Sequence, residues 1–161
     1  MKWITEYFIK NAVKEVSRTQ KPRVSADNIK SIGIIAPSLV GLNETTEAIV
    51  QALGQNLKVI GLFYDEGSQA EEAFSYKDFS LSGKPKRIVA EFINNKVDLI
   101  IASSEKLNIF SLYLLYLNPQ SYSVGFYNES HTPYLDLMLA REDMDQQQNI
   151  ENLLKYLKQV I

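Results

Sequence analysis

Short apolar runs alternate along the chain with longer stretches whose apolar residues recur every three or four positions. The continuous runs are typical of strands covered on both faces, and they occupy residues 32–36, 57–64, 98–102 and 122–127. A further apolar run predicts a strand at 134–140. Aromatic and polar residues alternate at 74–79, which predicts a short edge strand.

The stretches with helical periodicity predict five helices. The first spans residues 3–16, and its apolar stripe recurs every four positions at Ile4, Phe8, Ala12 and Val16. The next runs from a cap at Asn43 to Gly54, and the third begins near Pro85 in its first turn. The last two are predicted at 105–117 and 150–161.

Strands that alternate with helices of 10–13 residues indicate βαβ units. The fold class is therefore α/β, with a doubly wound, mainly parallel sheet of five to six strands in a Rossmann- or flavodoxin-like layout. Right-handed crossovers favour the strand at 32–36 as the neighbour of both 57–64 and 98–102. We expect a single α/β domain over 31–161, preceded by an amphipathic helix and connector over 1–30.

The amino-acid composition excludes several kinds of site. The 161 residues include no cysteine and one histidine, which excludes disulfides, thiolate metal sites and sites built from two imidazoles. No metal or cofactor is expected. The net charge of −2 is unevenly spread: residues 1–30 carry seven basic and three acidic groups, and the remainder carries ten basic and sixteen acidic ones.

The basic N-terminal residues are spaced along a helix rather than clustered, so a solvated face is favoured over a lipid or nucleic-acid surface. No nucleic-acid partner is expected. The longest nearly uncharged stretch, 107–127, is interrupted by Pro119. The sequence therefore predicts no integral membrane association and favours a cytoplasmic location.

Phosphate-binding motifs are absent. Neither G-x-G-x-x-G nor G-x-x-x-x-G-K-[ST] follows the first strand. With a helix starting at Asn43, Glu44 and Glu47 would repel a phosphate at that turn.

One helix start carries cations instead of carboxylates. Gly83, Lys84, Lys86 and Arg87 lie where the third helix is expected to begin, and cations are unfavourable beside the positive end of a helix dipole. A bound anion would relieve that repulsion, so these residues are the candidate anion site. The alternative is an Arg87–Glu91 ion pair with solvated lysines.

Ligands of open α/β sheets bind beyond the carboxyl ends of the strands. Ser103, Ser104 and Asp65 follow two of the predicted strands and are the cleft candidates. No G-x-S-x-G surrounds the serines, and helix capping is the favoured role for them. His131 is either a general base or, more simply, a residue of a surface loop.

The predicted helix at 105–117 has more apolar residues than one buried face requires. Nine of the eleven residues from Leu107 to Leu117 are apolar or aromatic, although a surface helix needs only one apolar stripe. Either the N-terminal helix or a second copy of the chain must cover the extra face. The interface candidates for a homodimer are Leu112, Tyr113 and Tyr116.

Three segments resemble an uncharacterised family of small bacterial Rossmann-like proteins over residues 30–161. They are Phe79 with Ser82–Lys86, Val97–Ile101, and Ser123–Phe126 followed by Tyr134–Met138. The resemblance implies the fold and no activity. Asp98–Ala102, the apolar helix and Ser123–Phe126 are also similar in order to the N-terminal half of heptosyltransferase-type glycosyltransferases, which implies a fold relative without the donor-binding domain.

No complete catalytic constellation is present, so the sequence favours a non-enzymatic binding or interaction module, with itself as one candidate partner. The alternative is a binding protein or enzyme for a small phosphate- or carboxylate-bearing metabolite at the carboxyl edge of the sheet.

Overall fold

A computed structural model describes residues 1–14, 21 and 24–161. Within these ranges the chain forms α1 (Lys2–Val13), β1 (Ser31–Ala36), α2 (Leu39–Leu53), β2 (Lys58–Tyr64), β3 (Ala73–Phe74), α3 (Arg87–Asn94), β4 (Leu99–Ala102), α4 (Ile109–Tyr116), β5 (Tyr122–Phe126), β6 (Leu137–Leu139) and α5 (Gln146–Val160). The predicted end of the first helix at 15–16 and part of the connector lie outside the described residues.

The strands form one parallel sheet in the order β3-β2-β1-β4-β5-β6. This confirms the predicted α/β class and the central position of the first strand. Ile34 of β1 lies opposite Gly61 of β2 and Ile101 of β4. Successive strands are added on one side of β1 up to β3 and on its other side from β4 onward, so the strand order reverses between β1 and β4, where such folds commonly bind ligands.

Helices cover both faces of the sheet. Because successive strand residues point to opposite faces, Ile32 and Ile34 pack with α2 and α5, whereas Ile35 and Ile100 pack with α3 and α4. The β1, β4 and β5 strands are almost entirely buried, which explains their continuous apolar sequence. No helix of the described residues is long and apolar enough to cross a membrane.

Helix α1 packs on α4 with a different stripe from the predicted one. Thr5, Ile9 and Val13 are buried, whereas Phe8 and Ala12 are exposed. The buried stripe consists of β-branched side chains, and it includes Ile9, which lies close to the Gly83 backbone. The aromatic side chains Trp3, Tyr7 and Phe8 lie on the exposed side of α1.

Two helix starts differ from the prediction because other residues supply the caps. Ser38 Oγ accepts from Gly41 N–H at 3.0 Å, so α2 begins at Leu39 and not after Asn43. Asn108 Oδ1 accepts from Ser111 N–H at 2.9 Å, so neither Ser103 nor Ser104 caps α4. Since α2 begins earlier, Glu44 and Glu47 lie beyond its first turn, so the placement on which the predicted repulsion of phosphate rested was wrong.

Three other helix ends are set by a backbone bridge, a glycine and a capping box. Helix α3 begins at Arg87, because Pro85 instead forms an antiparallel bridge with Phe79. Gly54 ends α2 with a φ of 97°, as predicted. Helix α5 begins four residues earlier than predicted, at a capping box formed by Asp145 and Gln148.

Candidate functional site

A groove of about 1060 Å³ lies beside the outer edge of β2. Strand β3 pairs only with Phe63 and Tyr64 at the end of β2, so most of the β2 edge has no neighbouring strand. Residues 60–62 of β2, the loop that follows this strand and the outer side of α3 line the groove. The groove therefore occupies the space that a longer β3 would fill.

Backbone groups of β2 face this groove without a strand partner. Phe63 N–H donates to Glu72 O and Asp65 N–H donates to Phe74 O, which shows that the odd-numbered residues direct their backbone groups away from β1. By the same alternation, Val59 and Gly61 direct their N–H and C=O groups to the open edge. No described residue pairs with them there.

The groove is strongly acidic. Six carboxylates line it against only Lys77 and Arg87. The six are Asp65, Glu66, Glu71, Glu72, Asp78 and Glu91. Their arrangement does not form a metal centre: among the described residues, no group of three or more His, Asp or Glu side chains is placed to hold a metal ion.

Two of the six carboxylates have cationic partners. Glu66 pairs with Lys2 at 2.9 Å, and Asp78 lies 3.7 Å from the Arg87 guanidinium. Among the described residues, no cation lies within ion-pair distance of the other four carboxylates. The groove therefore has a negative charge that the rest of the described chain does not neutralise, and this favours a cationic ligand.

The candidate anion residues lie close together in sequence but have different surroundings. Lys86 precedes α3 without a side-chain cap, and the Arg87 side chain is 79% exposed at the groove. Arg87 pairs with Asp78 and not with Glu91, the partner considered from the sequence. Lys84 is exposed, and its backbone N–H donates to Ser80 Oγ.

The structure shows a packing role for Gly83, and its part in an anion site stays a prediction. Its φ is 88°, and a Cβ built on it would lie 3.3 Å from both Ile9 and the Tyr113 hydroxyl. Gly83 therefore allows the turn before α3 to approach α1 and α4 closely. Burial raises the pKa of the Tyr113 hydroxyl at this contact.

Of the three cleft candidates, the adjacent Ser103 and Ser104 are both buried after β4, and Asp65 is not brought to them. Ser103 is fully buried at the end of β4, where its hydroxyl accepts from Thr45 Oγ1 at 3.0 Å. Gln146 at the start of α5 donates to the Ser103 carbonyl and accepts from Arg141. Asp65 lies elsewhere, in the acidic groove. The side chains of Thr45 and Gln146 therefore contact Ser103 at the end of β4, one of the two strands that flank the switch point.

The interface candidates on α4 are mostly covered within one chain. Leu112 and Tyr113 are each only 7% exposed, and α1 packs against α4. Tyr116 is 38% exposed and stacks on Tyr113. Of the two covers considered for this helix, the structure shows α1, although through Thr5, Ile9 and Val13 and not through its aromatic residues.

His131 is buried, so the expectation of a surface-loop histidine was wrong. Its Nε2 accepts from Leu107 N–H at 2.9 Å, which leaves Nδ1–H to donate to Phe126 O at 3.1 Å. Burial lowers the pKa of the imidazole, and only the neutral ring can make both bonds. His131 therefore joins two loops and has no free nitrogen for base catalysis.

Sequence reasoning missed the groove, although one signal for it was visible. Residues 65–72 contain four carboxylates and no base, directly after a predicted strand. The open edge itself was not visible, because it depends on β3 having only two residues.

The model of a family of unknown function, DUF6913, matches residues 2–160. No curated protein and no solved structure matches the chain. The resemblance to an uncharacterised family is thus confirmed, and the similarity to heptosyltransferases is unsupported.

Proposed function

The chain belongs to this family of unknown function, and we propose that it is a non-enzymatic binding module whose acidic groove takes a basic, extended segment of another protein. The observation that carries the proposal is the open edge of β2 inside a groove with six carboxylates and two cations. A strand edge supplies directional backbone bonds, and the carboxylates select the charge of the ligand.

The bound segment adds to the sheet next to β2. Its backbone pairs with the N–H and C=O groups of Val59 and Gly61, which have no described strand partner. Alternate side chains of an added strand point to the same side. Lysines or arginines at every second position therefore reach the unpaired Glu71, Glu72 and Glu91, which line the groove.

The direct test is binding of a seven-residue peptide that alternates lysine with valine, measured by fluorescence anisotropy. We expect binding that weakens between 50 and 500 mM salt, because exposed charges are screened. Amide hydrogen exchange should show protection of Val59 and Gly61. The matched peptide with glutamate in place of lysine should not bind.

Two further ligands separate strand addition from simple charge attraction. A backbone N-methylated version of the lysine peptide keeps its charges but cannot pair with β2, and we expect it to bind at least tenfold more weakly. Spermidine carries charge without a peptide backbone. Equal binding of the methylated peptide, or saturable binding of spermidine alone, would contradict an extended protein segment as the ligand.

Charge reversal locates the site. Glu71→Lys combined with Glu72→Lys should weaken binding of the lysine peptide about tenfold or more, since each exposed pair contributes about 0.5–1 kcal/mol and tenfold is about 1.4 kcal/mol. Glu142→Lys combined with Glu151→Lys, at two exposed positions just before and on α5, is the matched control with the same change in net charge. An equal loss in the control would place the binding elsewhere.

A small anionic ligand remains the second candidate, because α3 begins without a side-chain cap beside the exposed Arg87. Its predicted residues are Gly83, Lys84, Lys86 and Arg87. Thermal stabilisation by inorganic phosphate or a sugar phosphate near 1 mM, with none by the lysine peptide, would favour this candidate over the acidic groove.

A cytoplasmic location also remains part of the proposal, and the absence of cysteine is compatible with a reducing compartment.

A further inference from the structure

Helix α1 carries a second face that no described part of the chain covers. Trp3 and Tyr7 are 71% and 59% exposed, and Lys10 and Lys14 continue the same line of positions. We call these four residues the outer stripe of α1. Phe8, which is 43% exposed, lies beside it and contacts the Tyr7 ring edge-to-face. Two adjacent aromatic side chains at this exposure are typical of an interaction surface.

We propose that the outer stripe of α1 binds the same stripe of a second copy of the chain in an antiparallel helix pair. The stripe has spacings of four, three and four residues, which is the spacing of a coiled-coil seam. Lys14 retains helical φ and ψ of −59° and −30°, so all four positions follow one helical path.

The order of residues along the stripe makes it complementary to itself. Its N-terminal half is aromatic and its C-terminal half is basic. A two-fold axis between positions 8 and 9 places Trp3 opposite Lys14 of the second copy and Tyr7 opposite Lys10 of the second copy. Each ammonium then faces an aromatic ring, and the symmetry repeats both contacts.

The same order argues against an anionic membrane as the occupant. Helices that lie on membranes have apolar residues along one face and basic residues along the other, over their whole length. In α1 the aromatic and basic residues instead share one line and are separated along the helix axis. The chain beyond residue 30 also has more acidic than basic groups, and an anionic surface would repel it.

This interface differs from the one predicted on α4. Leu112 and Tyr113 are buried within the chain and are not accessible to a second copy. The proposed dimer surface is therefore on α1, the helix that packs on α4. A pair of short helices buries much less surface than a standard stable interface, and we expect a weak, concentration-dependent dimer.

Tryptophan emission measures the association directly. Trp3 is the one tryptophan of the chain, and its exposed ring would be covered in the dimer. We expect emission to shift to shorter wavelength between about 1 µM and 1 mM protein and to revert on dilution. Sedimentation over the same range should show conversion of monomer to dimer.

Substitutions on the stripe should weaken the dimer at least tenfold. Lys10→Glu with Lys14→Glu places carboxylates against the aromatic rings at four points of the interface, and Tyr7→Ala removes two of the rings. The matched control is Lys155→Glu with Lys158→Glu, two exposed positions on α5. Dimerisation unchanged by the stripe variants, or weakened equally by the control, would overturn the proposal.

Disulfide crosslinking tests the direction of the pair, because introduced cysteines are the only thiols in the chain. A mixture of the Tyr7→Cys and Lys10→Cys variants should form the mixed disulfide faster than either variant links to itself. Faster self-linking of Tyr7→Cys would indicate a parallel pair and contradict the proposal. Lys158→Cys reports random collision.

A monomer at 1 mM would overturn self-association whatever else the stripe binds. Vesicles with 30% phosphatidylserine test the membrane alternative. A monomer that binds them through Trp3 would shift its tryptophan emission to shorter wavelength when lipid is added, but not when the protein concentration is raised. The groove is tested separately with the lysine peptide. Failure of the dimer therefore leaves the proposed binding function intact, and the reverse is also true.

Discussion

At the scale of single residues, His131 makes the stability of the fold depend on pH. The neutral ring joins Leu107 N–H to Phe126 O inside the protein, and burial lowers its pKa below the ordinary value near 6.5. Below pH 6.5 the imidazole is therefore protonated in the unfolded chain, whereas in the folded chain it stays neutral to a lower pH. We expect the free energy of unfolding to fall as pH decreases from 7.5 to 5.5, by up to about 1.4 kcal/mol per pH unit.

The measurement is urea unfolding at several pH values in that window. His131 is the one histidine of the chain, so it is the one side chain with an ordinary pKa inside the window. His131→Gln should be less stable than the wild type at pH 7.5, because it loses a buried bridge between two loops. Its stability should nevertheless vary little between pH 7.5 and 5.5. An equally steep variation in His131→Gln would show that another group is responsible.

At the scale of elements, Ser38 and Asn43 distinguish the observed start of α2 from the one the sequence favoured. Ser38 Oγ accepts the Gly41 N–H, whereas Asn43 lies exposed inside the helix. Ser38→Ala should lower the free energy of unfolding by about 1 kcal/mol. Asn43→Ala should leave it unchanged or raise it by up to about 0.5 kcal/mol, because alanine is the better helix former. Urea unfolding of both variants tests the assignment, and a larger loss in Asn43→Ala would contradict it.

The sequence predicted elements whose signal is local and repeated. Residues 32–36 and 99–102 are continuous apolar runs, as expected for strands buried on both faces, and they form most of β1 and all of β4 at the centre of the sheet. Helix starts depend on a single hydrogen bond, and several Ser or Asn residues competed for each one. This is why Asn43, Ser103 and Ser104 were assigned as caps that they do not provide.

The surfaces were harder to predict than the sheet because they depend on contacts between distant segments. The rotation of α1 is decided by its fit against α4 and Gly83, and periodicity alone does not distinguish the Ile4 stripe from the Ile9 stripe. The groove likewise depends on where β3 ends. The cations at 84–87 were visible in the sequence, but the carboxylates that share the groove with Arg87 come from other elements.

At the scale of the whole molecule, a partly buried ion pair connects the segment before the domain to the far side of the sheet. Lys21 Nζ lies 3.0 Å from Asp136 Oδ2 and donates to the Ser121 carbonyl. The same carboxylate oxygen accepts from Ser123 N–H at 2.7 Å. The predicted division between residues 1–30 and 31–161 stays a prediction, but Lys21 makes a specific contact with the second part.

The contribution of the Lys21–Asp136 ion pair to stability can be compared with that of the exposed Lys2–Glu66 pair. The Lys21 and Asp136 side chains are 16% and 11% exposed, whereas Lys2 and Glu66 are both 42% exposed. Lys21→Met leaves a mostly buried carboxylate without its cation and the Ser121 carbonyl without its donor, so we expect a loss of about 1–3 kcal/mol of stability. Lys2→Met should cause no measurable loss, because solvent screens the exposed pair. Urea unfolding of both variants measures the difference. A lower stability of Lys21→Met indicates a structural role for Lys21. Equal stability of the two variants would mean that the segment before β1 does not stabilise the folded domain through this contact.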